Sequence, residues 1–205
     1  MDQLNNINKT TYKQHLLDQL RNTYKNSDKC HVGYNERKHI VFGQGNANAT
    51  LMLIGEAPGK EEDEQGVPFV GRSGMLLNKA LDVAQINRED IYITNVLKCR
   101  PPSNRTPTEQ EIQVCTQYFL DKQIKIIRPK IIATLGAIAT KVLLSQDIKI
   151  TKIHGQIFKK DDFIIIPIYH PSYILRNRTA LQGWIDDIKK LKEISDAINN
   201  NNNNI

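Results

Sequence analysis

Four short apolar runs do most to limit what this 205-residue chain can fold into: residues 51–54, 91–96, 131–135 and 163–168. Each is rich in Ile, Leu and Val and nearly continuous. A strand with one wet face alternates polar and apolar residues. An unbroken run of this length belongs to a strand covered on both faces, as in a parallel sheet between helices. Helical periodicity fills the gaps at 74–84, 107–127 and 137–144, with further helices at 11–24 and 181–198. The second of these opens on Thr106-Pro107-Thr108-Glu109, which reads as a capping box with proline at the first helical position. Alternation of this kind predicts a three-layer α/β/α sandwich around a central, mostly parallel four-stranded sheet. Residues 1–198 are expected to form a single domain and the Asn-rich residues 199–205 a disordered tail.

Hydrophobic residues make up 40% of the chain, and no apolar stretch is long enough to span a bilayer, so no membrane association is expected. The first 13 residues are polar and Asn-rich, without the apolar core of a secretory signal, which predicts a cytoplasmic protein. Lysine and arginine number 28 against 22 acidic residues, a net charge of +6 that suits a nucleic-acid partner without requiring one. The expected state is a monomer.

In a doubly wound sheet, ligands bind beyond the carboxyl ends of the strands. Here each strand runs into chemistry. The first ends in Gly55-Glu56-Ala57-Pro58-Gly59, followed by Glu61-Glu62-Asp63 and Pro68-Phe69-Val70-Gly71-Arg72. The second carries Asn95 and leads to Cys99-Arg100-Pro101-Pro102-Ser103-Asn104-Arg105. The third ends in Gly136, and the fourth in His170-Pro171-Ser172-Tyr173-Ile174-Leu175-Arg176. Singly, each has an ordinary structural explanation: Phe69 as core, Asn95 as a turn cap, His170 as a satisfied histidine. Their convergence on one sheet edge points to an active site.

These segments resemble family 4 of the uracil-DNA glycosylase superfamily, the iron–sulfur type. The resemblance rests on Gly55–Gly59 with Glu62-Asp63, on Pro68–Arg72, on Thr94-Asn95-Val96 with Lys98-Cys99-Arg100-Pro101-Pro102, and on His170-Pro171-Ser172-Tyr173, between about Cys30 and Trp184. It implies excision of uracil from single- or double-stranded DNA in base-excision repair. Glycosidic cleavage develops an oxocarbenium-like sugar and a charged leaving base. The departing anion needs a preorganised donor, which His170 would provide. Asn95 would accept from uracil N3–H and donate to O4. Phe69 would stack on the base, Ala57 would belong to the same pocket, and Glu62 would exclude the thymine methyl at C5. Glu56 and then Asn104 are the candidates for positioning the attacking water. Arg72, Arg105, Ser172 and Arg176, with Arg178, are candidate DNA-backbone contacts, against the ordinary reading of solvated surface side chains. The segment 173–176 would supply an apolar wedge into the base stack.

The family implies a [4Fe-4S] cluster on four cysteines, and this chain has three: Cys30, Cys99 and Cys115. Ser27 stands where the fourth is expected. Ser27, Asp28 or His31 as the last ligand, a three-iron form, and three packed thiols all remain open. Two other functions compete. A nucleotide-binding loop at Gly55–Lys60 lacks the P-loop spacing and its Ser/Thr. A non-catalytic or altered-specificity DNA-binding relative would keep the fold and change the motifs.

Overall fold

The computed structural model describes residues 2–25, 37–146 and 149–202. Cys30, Ser27, Asp28 and His31 therefore lie outside the described residues. The elements run α1 (Asp2–Lys25), β1 (Gln44–Gly45), β2 (Leu51–Gly55), α2 (Lys60–Gln65), α3 (Arg72–Val83), β3 (Tyr92–Asn95), α4 (Glu109–Cys115) and α5 (Asp121–Ile127). The second half continues with β4 (Ile131–Leu135), α6 (Ala137–Leu144), α7 (Ile150–Ile153), β5 (Phe158–Lys160), β6 (Phe163–Ile168), α8 (Pro171–Arg176) and α9 (Leu181–Asn202).

The sheet has six strands rather than four, in the order β1-β3-β2-β4-β6-β5. The four predicted strands form its parallel centre, β3-β2-β4-β6. The additions are short antiparallel edges, β1 on β3 and β5 on β6. Their two and three residues carry too little apolar signal to be read from the sequence.

Successive side chains leave a strand on opposite faces, so each central strand feeds two cores. Met52, Ile54, Ile132 and Ile165 pack with Leu17 and Leu20 of α1, Phe119, and Leu143 of α6. Leu51, Leu53, Ile131, Ala133 and Ile166 pack with Leu77 and Leu81 of α3 and with Trp184, Ile188 and Leu191 of α9. The result is the expected three-layer sandwich. Among the described residues, no helix is long and apolar enough to cross a membrane.

Several helix boundaries differ from expectation, α3 starting at Arg72 rather than 74 among them. The helix predicted over 107–127 starts at Glu109, capped by Thr108 with Glu111 reaching back to its backbone N–H, so the capping box sits two residues later. It is also interrupted by a π-helical stretch, Thr116–Leu120, directly after Cys115. The N-terminal helix starts well before Thr11, and α9 continues past Ile198 to Asn202. There Asn199 accepts a hydrogen bond from the Thr50 hydroxyl at 2.7 Å, so residues 199–202 are helical rather than irregular.

Candidate active site

A cleft of about 780 Å³ opens at the carboxyl edge of the sheet. Its base is set by Gly55, the last residue of β2, in register with Asn95 at the end of β3. A Cβ on Gly55 would run into both the Asn95 carboxamide and the Phe69 ring. Glycine is what allows these two groups to meet across the strand end.

Phe69 holds a left-handed backbone, φ 54°, which is costly for an aromatic residue. The surroundings enforce it. A Cβ on Gly74 would collide with the Phe69 backbone, so the loop can press against α3 only at a glycine. Arg88 donates to Pro68 O and to Asn78 Oδ1, both at 2.6 Å, clamping the loop from behind. Nothing in the sequence around Arg88 announces this role.

Two adjacent carboxylates fasten the rest of the loop. Glu62 accepts from Val70 N–H at 2.9 Å, Gly71 N–H at 2.8 Å and Gly59 N–H at 3.0 Å. Asp63, also buried, accepts from the backbone N–H groups of Lys38 and His39. Charge-assisted bonds to amides are stronger than neutral ones. Glu62 lines the cleft, and its carboxylate is taken up in shaping the loop that borders it.

Asn95 is buried, and among the described residues its carboxamide oxygen has no hydrogen-bond partner. An orphaned acceptor in the interior costs free energy unless a ligand satisfies it. On the other side of the same strand end lies Lys98, fully buried, which donates to the Thr94 hydroxyl at 2.7 Å and to Asn95 O. Burial pushes its pKa down to about 7, against the pull of nearby Cys115 and Cys99. Both cysteines are buried, and Arg37 donates to Cys99 Sγ at 3.1 Å. Cations beside thiols favour the thiolate, the form that ligates iron. Among the described residues, no group of three or more His, Cys, Asp or Glu is arranged to hold a metal.

His170 caps the N-terminus of α8, with Pro171 at the first helical position. Its Nδ1 accepts from Ser172 N–H at 3.1 Å and lies 2.8 Å from the Ser172 hydroxyl. With Nδ1 occupied as acceptor, a neutral ring carries its proton on Nε2, which is left to donate into the cleft. Burial and then the Arg176 charge depress its pKa to about 4, so the ring is neutral at physiological pH. The Phe69 and His170 rings stand 5.9 Å apart and tilted by 39°. Glu56, on the same cleft, has its pKa raised by burial, and no group among the described residues is bonded to its carboxylate.

The cleft also takes in Ala57, Arg72, Asn104, Arg105, Ser172 and Arg176, but not Cys99, Cys115 or Arg178. Several are already engaged. Asn104 is exposed on the rim, and its Oδ1 accepts from Arg100 Nε at 2.8 Å. Arg105 forms a two-pronged ion pair with Glu111, at 2.7 and 3.0 Å, which removes it from the free cations. The Ser172 hydroxyl lies 2.8 Å from His170 Nδ1. In the expected wedge, Ile174 is wholly buried in the core, leaving half-buried Leu175. Arg72, Arg176 and Arg178 remain exposed.

The family model of the uracil DNA glycosylase superfamily matches residues 42–198. A type-4 uracil-DNA glycosylase of Thermotoga maritima is 42% identical over 187 residues, covering 88% of this chain and 95% of that protein. Those of Sulfurisphaera tokodaii and Saccharolobus solfataricus are 39% and 40% identical, over 87% and 86% of this chain and 84% and 85% of theirs. The fold, the convergent cleft and these matches agree: the chain belongs to the uracil-DNA glycosylase superfamily.

Proposed function

We propose that this chain is a type-4 uracil-DNA glycosylase, a monomer that hydrolyses the N-glycosidic bond of uracil in DNA during base-excision repair in the cytoplasm. The observation that carries the reading is the unpartnered, buried Oδ1 of Asn95 in a cleft shared with Phe69 and His170. Uracil offers N3–H to that oxygen and O4 to the amide nitrogen. Cytosine presents the reverse polarity on the same edge and leaves a buried acceptor facing a lone pair.

Such a base reaches the cleft only after leaving the stack. Phe69 then supports its face. Neutral His170 donates Nε2–H to the O2 oxygen as charge moves onto the departing ring. Glu56 holds and activates the attacking water near the sugar. The C5 methyl of thymine is excluded by the loop that Glu62 fixes, rather than by its carboxylate. Arg72, Arg176 and Arg178 take phosphates.

The resemblance further supports an iron–sulfur cluster held by Cys30, Cys99 and Cys115, and the cations at Arg37 and Lys98 suit a negatively charged thiolate site. Bound there, it would be a structural tie between segments and take no part in the reaction. Iron and acid-labile sulfide in equal amounts in anaerobically purified protein would support it; colourless, active protein would remove it.

The decisive assay is a labelled oligonucleotide with one uracil, incubated with the protein and then treated with alkali. A cleaved strand that depends on the protein is expected. Folded protein that leaves the uracil strand intact would instead support a non-catalytic relative.

A further inference from the structure

We propose that Lys98 is a positioning residue for base recognition, holding the end of β3 so that the Asn95 carboxamide stands where uracil needs it. The inference rests on the function proposed above and assigns a task to a residue outside the cleft.

Lys98 is wholly enclosed, yet among the described residues no carboxylate pairs with it. A buried amine is costly even beside the Cys99 and Cys115 thiols, and an apolar chain of the same length would fill the space. What an apolar chain cannot do is donate, and the two oxygens that receive these donations identify the role. They are the Thr94 hydroxyl and Asn95 O, on the last two residues of the strand that presents the base-reading group.

The strand needs this support. On its outer side β3 pairs with β1 only at Tyr92 and Ile93. Asn95 O points to that same side, beyond the end of β1, and Lys98 provides the donor that a neighbouring strand would otherwise supply. The anchor is itself fixed. Thr94 Oγ1 donates to Phe42 O at 2.9 Å, Gln123 Nε2 donates to the same carbonyl at 2.7 Å, and Lys98 O accepts from Val41 N–H at 2.7 Å. The Asn95 side-chain oxygen, by contrast, has no hydrogen-bond partner among the described residues, so its position is set through its backbone.

A double-mutant cycle separates positioning from general destabilisation. Lys98→Met should lower single-turnover uracil excision by about 10²-fold, the size expected of a misplacement of about 1 Å, with DNA affinity little changed. In an Asn95→Ala background, the same substitution should cost almost nothing further, because the group it positions is gone. Equal losses in both backgrounds, or no loss in either, would overturn the proposal. Thr94→Val, which removes one of the two acceptors and keeps the shape, runs the same cycle if Lys98→Met fails to fold; a loss of about 10-fold that vanishes with Asn95→Ala is expected. A second measurement needs no catalysis: the side-chain amide signals of Asn95 in a 15N–1H spectrum. These should move in Lys98→Met or Thr94→Val, and unchanged signals in a folded variant would overturn the proposal. If the wild-type protein releases no uracil, the functional reading fails while the spectrum still decides the role of Lys98.

Discussion

Behind Phe69 and Asn95 the supports are hydrogen bonds between buried groups: Glu62 on three amides, Arg88 on Pro68 O, Lys98 on the end of β3. Behind His170, beyond its own hydrogen bonds to Ser172, the flanking residues are supported by stacked rings. Tyr173 lies on Tyr169 at 4.9 Å, and Tyr169 on His154 at 4.4 Å. His154 in turn bonds Asp187 at 2.7 Å, and the Trp184 indole donates to Tyr169 O. The difference follows the tasks of the two walls. Reading a Watson–Crick edge needs donors and acceptors fixed to a fraction of an ångström, which directional bonds provide. The other wall is the one proposed to meet the DNA backbone, and α8 and the turn after it carry Arg176 and Arg178 in solvent. Rings tolerate small shifts that hydrogen bonds do not.

The comparison is broken most severely at Asn95. Asn95→Asp places an acceptor opposite O4, and a site built for a hydrogen bond rejects a mismatched partner by about 10⁴-fold. Single-turnover uracil excision should fall on that scale, with weak cytosine release appearing, since the cytosine amino group can donate to the carboxylate. Full uracil activity in this variant would mean that recognition does not lie on this wall.

On the opposite wall, His170→Ala removes one donor to the departing anion and should reduce the rate by about 10²–10³-fold with DNA binding retained. The pH profile then divides the two acids. His170, neutral above about 4, contributes no limb near 6.5. Glu56 is lifted above its usual 4.5 by burial, so activity should fall first as pH drops through the titration of Glu56. Glu56→Gln should lose both rate and that limb. A limb near 6.5 that disappears in His170→Ala would show that the histidine works in its charged form.

The parallel centre was legible because strands buried on both faces leave unbroken apolar runs, and the edges were not because two or three residues against solvent leave none. The cleft residues were legible because each follows a strand in the chain. Their neighbours were not. Arg105 reads as a free cation until the fold places Glu111 across from it, and Lys98 reads only as one member of the motif around Cys99, with nothing to mark its burial. The π-helical stretch after Cys115 has no periodicity of its own to find. Sequence motifs located the chemistry; the side chains that aim it became visible only from long-range contacts.

Support of the two kinds should differ in stability as well. Glu62→Gln replaces a carboxylate that accepts three amides with a group that must turn a donor toward at least one of them. A loss of about 3 kcal/mol by urea denaturation is expected, with uracil excision reduced by about 10-fold. Tyr173→Leu, on the ring-supported wall, should cost about 1 kcal/mol, since area is partly replaced and the stacking is lost. A larger cost for Tyr173 than for Glu62 would reverse the comparison.

The smallest effect expected is at Arg176, where the second wall meets DNA. If its guanidinium contacts one phosphate, Arg176→Ala should reduce the slope of log affinity against log salt by about one unit, with little change in uracil preference. The same charge helps to hold His170 near a pKa of 4, so its removal should let the imidazole rise toward 6.5, measurable by NMR titration. The sign for stability follows from linkage. A histidine depressed in the folded state is protonated more readily in the unfolded chain, so its contribution is intact above about 6.5 and is lost as pH falls toward 4. Arg176→Ala should narrow that window and make the protein slightly less acid-sensitive. A salt slope and a His170 titration both unchanged in the variant would leave Arg176 a solvated charge, and would assign DNA docking on this wall to Arg178 and the exposed backbone of the turn.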